Sequence, residues 1–511
     1  MTQKIIRNIP LNRVEGDLDI RVEMTDGVVT EAWSSGTMFR GIEKTMVGRG
    51  PLDGLVITPR VCGLCSICHL KAAAKALDTI ARAQVPDDAI RLRNVAMIAE
   101  HIQSDMRHGF LMFATDFTNP AYGNHPLYDE AVRRYEAFKG SVVVETIRET
   151  KKLLEIIALI GGQWPHTSFM VPGGVASIPD AGDLLQCLQV LFRFRKWYED
   201  RVLGCKLERW QEVRSSADLE TWMEEADAHR NSELGFYIRF SQEAGLDRYG
   251  KGHGNFISYG SLDMPRQTEV ASLGKGNVFI PSGFAAGTQL HSFDQKKVAE
   301  HVHYSWFEDY GGGKHPFEGE TRPYASGKEG RKYSWAKAPR YDGEPAETGP
   351  LAEYIISKNP LFADLAGKKG PNVFVREMAR LVRPTLVLPA METWLREIDP
   401  SKTSYYARTN VFEEGEGFGL TMAARGALGH WVRIKNGQIE HYQIITPTAW
   451  HASPRDSQGV RGPWEEALLG VEVKDLDNPV ELGHVIRSYD SCMVCCVHAL
   501  RRNGHHGKFL L

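Results

Sequence analysis

The stretch that decides the fold is RVCGLCSICH, residues 60–69, and it has a counterpart in DSCMVCCVH, residues 490–498. Each stretch contains a Cys-x-x-Cys pair: Cys62/Cys65 in the first and Cys492/Cys495 in the second. Such a turn places two thiolates on one side of a short loop, where both can bind one ion, and this clustering is typical of metal or redox sites. The sequence therefore predicts that the two ends of the chain meet at one metal site.

The spacing of the cysteines alone leaves the metal open. Four thiolates suit a closed, tetrahedral zinc site, and they equally suit an iron–sulfur or other redox metal. Two features weigh against zinc: zinc modules are usually compact, and each pair here is followed by a histidine and accompanied by an Arg or Asp. Polar neighbours of this kind tune thiolate basicity, so the context favours an open, reactive centre.

Outward from the first pair, the apolar pattern is helical. Residues 71–84 are Ala-rich and periodic, which predicts that residues 62–69 form a loop at the start of a helix. Further long helical patterns cover residues 89–117, 142–160, 183–203 and 371–396. We expect these helices to form one continuous bundle, because they share no obvious breakpoint.

Short strands are predicted around this bundle. Alternating residues up to the turn signal Asp26-Gly27 predict a hairpin, and a second hairpin is expected over 431–445 with its turn at Asn436-Gly437. Residues 311–349, rich in Gly, Pro, Lys and aromatics, predict an irregular insertion on the surface or near a partner. The predicted fold class is mainly α (α+β), a long-helix bundle with small β-hairpin or sheet appendages.

Composition places the chain among soluble globular proteins. Its 511 residues are 42% hydrophobic and 24% charged, with a net charge of −3, which argues against nucleic-acid binding and against a polybasic membrane protein. No apolar run reaches the roughly 18 residues of a membrane helix, and residues 1–10 lack the apolar core of a signal peptide. We expect a cytoplasmic location, or a peripheral membrane association through partners.

At the cysteine clusters the sequence resembles the large subunit of nickel–iron hydrogenases, and the resemblance covers nearly the whole chain. The family motifs R-x-C-G-x-C-x-x-x-H and D-[P/S]-C-x-x-C-x-x-H are met at residues 60–69 and 490–498. Further matches follow in order at residues 13–16, 39–43, 172–174, 333–340, 424–428, 442–443 and 447–448. The resemblance implies the fold of that subunit and an enzyme of the uptake type.

The resemblance also implies a role for each cysteine of the two pairs. Cys62 and Cys492 would be terminal nickel ligands, and Cys65 and Cys495 would bridge nickel to iron in a Ni–Fe(CN)2(CO) centre, for which soft thiolates are suitable. The implied reaction is the oxidation of H2 to protons and electrons, reversible in principle. Its heterolytic first step needs a Lewis acid and a base; Cys492 is the first choice of base, and Glu15 would take the proton onward.

Other residues match family positions around the metals. Arg425 would overhang them as a fixed charge and donor, since a guanidinium does not readily lose its proton. Thr448 would donate to a cyanide ligand, His69 would hydrogen-bond a bridging thiolate, and Asp490 would lie close by. At a separate site, three ligands suit a hard divalent cation, usually magnesium: Glu43, the backbone carbonyl of Ile444, and His498.

The sequence departs from the family pattern near these residues. Ser104 stands where many members have an aspartate, which puts an Arg–Asp pair with Arg425 in doubt, although the neighbouring Asp105 is a candidate substitute. Cys68 and Cys496 are extra thiols beside the ligand pairs. They are interpreted either as small packing residues or as side chains that alter access and the response to oxygen.

The chain continues past His498 for residues 499–511. In the family, a dedicated protease removes such an extension once nickel is in place. We therefore expect a catalytic domain over residues 1–498 and a C-terminal extension over 499–511 that is removed during maturation.

The resemblance implies several partners. A small subunit carrying iron–sulfur clusters must take the electrons, because this chain has no cysteine set to spare for clusters. A maturation protease, and a larger assembly such as a dimer of heterodimers, are also expected. An H2-sensing regulatory hydrogenase is the alternative function, although sensors usually lack the extension. A relative of the quinone-site subunit of respiratory complex I would lack the four cysteines that are present here.

Overall fold

The computed structural model describes residues 4–10, 12–14, 16–326, 330–402, 405–409 and 412–492. Within these ranges, helices form the body, and five small antiparallel sheets pack on and between them. None of the described helices combines the length and the apolar character needed to cross a membrane.

The α-helices of the described residues include several short ones at the ends of the chain and the long ones that were predicted. In chain order they are α1 (Ile42–Met46), α2 (Asp53–Ile57), α3 (Ser66–Ala81), α4 (Asp87–Arg107), α5 (Tyr128–Tyr135), α6 (Ser141–Leu153), α7 (Glu155–Gly161), α8 (Ala181–Trp197), α9 (Leu207–Trp210), α10 (Ser216–Glu225), α11 (Asp227–Asn231), α12 (Glu233–Ala244), α13 (Pro350–Ile356), α14 (Pro360–Lys369), α15 (Val373–Val382), α16 (Pro384–Glu397), α17 (Pro447–His451), α18 (Pro463–Ala467) and α19 (Val480–Ser488).

The strands are short and pair mostly with their neighbours in sequence. They are β1 (Lys4–Pro10), β2 (Leu18–Thr25), β3 (Val28–Gly36), β4 (Met170–Val171), β5 (Gly174–Val175), β6 (Asn255–Asp263), β7 (Val278–Ala286), β8 (Gln289–His291), β9 (Val298–His301), β10 (Gly313–Lys314), β11 (Ala338–Tyr341), β12 (Gly415–Ala423), β13 (Gly426–Lys435) and β14 (Gln438–Ile445). The sheets have the orders β1-β2-β3, β4-β5, β6-β7-β8, β10-β9-β11 and β12-β13-β14.

The predicted long helices are confirmed, with interruptions that the periodicity did not indicate. The pattern over 89–117 is α4 followed by a π-helical turn (His108–Phe113) and a 3-10 turn (Ala114–Thr118). The pattern over 371–396 divides into α15 and α16 at Arg383, directly before Pro384. Both hairpins form at the predicted Asp26-Gly27 and Asn436-Gly437 turns.

The sheet β12-β13-β14 lies inside the molecule, so the expectation that sheets are only appendages is wrong for this one. Its β12 strand packs directly on α3, and this contact depends on glycine: a Cβ built on Gly419 would lie 1.8 Å from the carbonyl oxygen of Ala72. The indole of Trp431 on β13 is fully buried. The sheet therefore fixes the β12–β13 turn and the end of β14 next to the N-terminus of α3.

The expected surface insertion at residues 311–349 is interior over its second half. Ser334, Ala336 and Arg340 are fully buried, and Arg340 forms an ion pair of 2.8 Å with Asp456. The second half of this stretch therefore belongs to the core around β9 and β11, whereas residues such as Arg322 and Tyr324 of the first half remain at the surface.

We expect Gly419→Ala to lower the stability of the protein by about 3 kcal/mol, because the added methyl group forces β12 away from α3. Gly367→Ala is the matched control: a Cβ there meets no atom within 4 Å, and alanine in a helix is favoured over glycine by up to about 1 kcal/mol. Thermal unfolding of both variants checks this. Equal unfolding temperatures for the two would contradict the close approach of β12 to α3.

Candidate metal centre

Three of the four predicted thiolate ligands meet in one buried place. Cys62 and Cys65 lie in the loop before α3, and Cys492 follows α19. The three Sγ atoms lie within 4.8 Å of one another, and the Sγ atoms of Cys62 and Cys492 are 3.6 Å apart. The predicted meeting of the two ends of the chain is therefore confirmed for these three residues, while Cys495 lies outside the described residues.

The loop of the first cysteine pair is fixed by a carboxylate of α4 at the start of α3. Glu100 accepts hydrogen bonds from the backbone N–H groups of Ile67, at 2.9 Å, and Cys68, at 3.1 Å. These are N–H groups of the first helical turn, which have no partner inside the helix itself. Burial raises the pKa of Glu100 to about 7, against the opposing effect of these donors. The helix consequently begins at Ser66, so residues 66–69 are helical and not part of a loop as predicted.

Arg425 occupies the turn between β12 and β13, next to the thiolates. Its Nε donates to Asp490 Oδ1 at 2.9 Å, and its Nη1 has no hydrogen-bond partner among the described residues. Burial alone would lower the pKa of Arg425, but Asp490 and the nearby cysteines raise it well above its ordinary value. The guanidinium therefore stays charged and keeps a donor available.

A small cavity of about 10 Å³ lies beside this guanidinium. Cys65, His69, Arg425 and Thr448 line it, together with apolar side chains. Thr448 Oγ1 accepts from the backbone N–H of Cys492 at 3.1 Å, so the hydroxyl proton remains available to donate elsewhere. A charged donor and a hydroxyl beside soft thiolates are a donor set that fits a metal with small anionic ligands.

Asp490 connects Arg425 to a buried histidine through one carboxylate oxygen, Oδ1. His108 Nδ1 lies 2.9 Å from Asp490 Oδ1, and His108 Nε2 lies 2.7 Å from the carbonyl oxygen of Arg487. Both ring nitrogens thus lie against oxygen atoms, which holds the imidazole in one orientation beside Asp490. Burial would raise the pKa of Asp490, but Arg425 and His108 hold it well below its usual range.

Asp105 does not pair with Arg425, so the suggested substitution is wrong. Its carboxylate accepts two hydrogen bonds from Arg383, from Nε at 2.8 Å and from Nη2 at 2.7 Å. Arg383 Nη2 also donates to the carbonyl oxygen of Ala424 at 2.8 Å, which fixes the turn that carries Arg425. The hydroxyl of Ser104 has no partner among the described residues. Asp490 is the residue that completes the Arg–Asp pair.

A second buried cluster surrounds Glu43. Glu43 Oε1 accepts from the backbone N–H of Ile444 at 2.9 Å, and Lys337 Nζ lies 3.5 Å from the carboxylates of both Glu43 and Glu300. Burial alone would lower the pKa of Lys337, but the two glutamates raise it. The structure thus brings together two of the three predicted cation ligands, Glu43 and Ile444, although the observed contact is with the amide of Ile444 and not with its carbonyl.

The remaining predicted site residues divide into two groups. His69 is buried, which lowers its pKa to about 4, and its Nδ1 lies 3.1 Å from His430 Nε2. Glu15 and His498 lie outside the described residues, as do Cys496 and the extension 499–511.

Sequence reasoning missed four residues of the surroundings: Glu100, His108, Arg383 and His430. They come from α4 and the π-helical turn after it, from the junction of α15 and α16, and from β13, so no local spacing indicates them. The only signal is that a charged or polar residue falls within an apolar periodic segment.

A sequence profile of the family described as nickel-dependent hydrogenase matches residues 40–125 and 121–498. The chain belongs to this family. It is the catalytic subunit of a nickel–iron hydrogenase, an enzyme that oxidises H2.

Relatives match the hydrogenase chain along nearly its full length. The periplasmic NiFeSe hydrogenase large subunit of Desulfomicrobium baculatum is 33% identical over 96% of this chain and 94% of its own length. The uptake hydrogenase large subunit of Rhodobacter capsulatus is 27% identical over 97% of this chain and 95% of its own. The Hydrogenase-2 large chain of Escherichia coli is 26% identical over 99% of both.

Solved structures share the fold. The reduced, active form of the Ni-Fe-Se hydrogenase from Desulfomicrobium baculatum has a TM-score of 0.80 and 30% identity, covering 97% of this chain and 100% of that one. The reduced Ni-Fe-Se hydrogenase of D. vulgaris Hildenborough has a TM-score of 0.80 and 29% identity, covering 98% and 100%. The predicted hydrogenase large-subunit fold is therefore confirmed, and a large subunit implies a small-subunit partner.

We expect Asp105→Asn to destabilise the protein by about 3 kcal/mol, because it leaves the buried Arg383 without its main charge partner. Ser104→Ala is the neighbouring control and should change stability little, since its hydroxyl makes no bond with the described residues. Thermal unfolding measures both. A larger loss for Ser104→Ala than for Asp105→Asn would contradict the assignment of the ion pair to Arg383.

Proposed function

We propose that Cys62, Cys65, Cys492 and Cys495 hold a Ni–Fe(CN)2(CO) centre, with Cys62 and Cys492 as terminal nickel ligands and Cys65 and Cys495 as bridges to iron. The observation that carries the proposal is the approach of three Sγ atoms to within 4.8 Å of one another, together with a donor of the charged Arg425, Nη1, that has no partner among the residues the structure describes. When bound, such a centre supplies the Lewis acid needed to polarise H2. A closed zinc site would have no use for a free guanidinium donor at its edge.

The residues of the chain supply the base and the charged surroundings. Cys492 Sγ would serve as the base that holds the proton released from H2, and Glu15 would carry it away from the centre. Arg425 would provide a fixed positive charge and a donor, and the hydroxyl of Thr448 would donate a hydrogen bond to an anionic ligand of iron. The Asp490 carboxylate, which also contacts His108, orients Arg425.

Glu43, the carbonyl of Ile444 and His498 would hold a magnesium ion or a similar divalent cation. Carboxylate and carbonyl oxygens suit this ion, and Glu43 already lies against the backbone of Ile444 in a cavity of about 30 Å³. The ammonium of Lys337, close to Glu43, compensates part of its charge.

Several further proposals concern the assembly. Residues 499–511 form an extension that a maturation protease removes after nickel insertion, leaving residues 1–498 as the catalytic domain. Electrons pass to the iron–sulfur clusters of the small subunit, and heterodimers associate further, as in a dimer of heterodimers.

The enzyme is cytoplasmic or peripheral to a membrane through its partners. The sensing alternative gains no support from the relatives above, which are named as enzymes.

Purified holoenzyme should contain nickel and iron and show infrared bands of cyanide and carbon monoxide, and its intact mass should correspond to loss of residues 499–511. Cys492→Ser should abolish nickel binding, because a hydroxyl is a poor ligand where a soft thiolate is required. Cys187→Ala is the control, since this buried thiol lies on α8, away from the centre. Stoichiometric zinc without infrared bands in the wild type would refute the centre.

Arg425→Lys should retain nickel and the infrared bands but lower the rate of H2 oxidation by about 10²-fold. The single ammonium of lysine cannot bond to Asp490 and also keep a donor in the fixed position that the planar guanidinium gives it. Arg433→Lys, a partly exposed position of the same sheet, should retain the wild-type rate. Unchanged activity of Arg425→Lys would rule out a specific guanidinium role.

A further inference from the structure

Two buried residues behind His69 form a hydrogen-bonded chain with it. His69 Nδ1 lies 3.1 Å from His430 Nε2, and His430 Nδ1 lies 2.9 Å from the hydroxyl of Tyr442. His430 is on β13 and Tyr442 on β14, whereas His69 is on α3. The chain therefore connects the helix that follows the first cysteine pair to the interior sheet.

The positions of the protons in this chain follow from its geometry. A contact of 3.1 Å between two imidazole nitrogens needs one proton between them, so one ring donates and the other accepts. His430 Nδ1 is the one partner found for the buried Tyr442 hydroxyl among the described residues. A buried donor left without an acceptor is costly in free energy. The hydroxyl of Tyr442 therefore donates a hydrogen bond to His430 Nδ1.

This donation determines the tautomer of both rings. With its Nδ1 accepting, a neutral His430 carries its proton on Nε2 and donates it to His69 Nδ1. Burial lowers the pKa of His430 well below its ordinary value, in agreement with a neutral ring. His69 then carries its own proton on Nε2, the nitrogen left for the cavity that His69 lines together with Cys65.

We propose that Tyr442 and His430 are positioning residues that keep the proton of His69 on Nε2, so that His69 donates a hydrogen bond to a thiolate of the centre. The inference rests on the proposed metal centre. With the opposite tautomer, His69 would present a lone pair to an anionic sulfur. Hydrogen bonds to metal-bound sulfur reduce the electron donation from sulfur to the metal. Tyr442 therefore influences the centre through His430 and His69, without contacting it.

Infrared spectroscopy of Tyr442→Phe holoenzyme tests this. Without the phenol, His430 is no longer restricted to one tautomer and the bond from His69 to sulfur weakens. The sulfur then donates more charge to the metals, and the carbon monoxide band should move to lower wavenumber, with nickel content unchanged. Bands at the wild-type positions in a fully loaded variant would overturn the proposal.

Tyr341→Phe is the matched control. Tyr341 is 2% exposed and Tyr442 is 3% exposed. The hydroxyl of Tyr341, on a strand of a different sheet, accepts from the backbone N–H of Asp294 and donates to the carbonyl oxygen of Ser292. The infrared bands of Tyr341→Phe should stay at the wild-type positions. An equal band shift in Tyr341→Phe would also overturn the proposal, because the effect would then be a general consequence of losing a buried hydroxyl.

If Tyr442→Phe does not load metal, a pair of variants at His430 tests the same positioning role. The side-chain amide of His430→Gln can still donate to His69 Nδ1, whereas His430→Leu cannot. Bands closer to wild type in His430→Gln support the proposal, and equal displacement or equal loss of bands in both refutes it. Absence of cyanide and carbon monoxide bands in the wild type would instead refute the proposed centre, so the two failures are distinguishable.

Discussion

The whole structure depends on bringing buried thiolates from the two ends of the chain into contact. Closing so long a segment costs conformational entropy, and three adjacent sulfurs that ionise away from water would repel one another strongly. The contact is therefore tolerable only where opposite charge is provided. The chain provides part of it in Arg425, and the hydrogenase metals supply the remainder.

Several charged residues around the centre have a buried partner of opposite sign. Arg425 pairs with Asp490, which is also bonded to His108. Arg383 pairs with Asp105 and holds the backbone of Ala424. Such pairs contribute little net stability when buried, but removing one partner is costly. Their effect is to make the geometry around the thiolates rigid, which a reactive centre requires.

The sequence predicted the helices, the two hairpins and the cysteine meeting point because these depend on local periodicity, turn chemistry and motif spacing. It did not predict that Asp490, and not Asp105, pairs with Arg425. Adjacent residues on a helix point in different directions, and neither composition nor spacing shows which of them faces the turn. It also missed Glu100 and His430, whose partners are distant in sequence. The helix start at Ser66 was misplaced for the same reason, since Glu100 of another helix sets it.

The two-residue turn at Asn436-Gly437 has a wider effect than its position suggests. Both residues have positive φ, 51° and 69°, which matches the twist of the strands that they join. The turn, together with the register shift between Arg433 and Ile434, sets the pairing of β14 with β13, in which Tyr442 points to His430 and the amide of Ile444 meets Glu43. A slip by one residue would reverse every side chain of β14. The surface end of this hairpin thus sets the alignment of two separate buried sites, and a change in the length of the turn would disturb both at once.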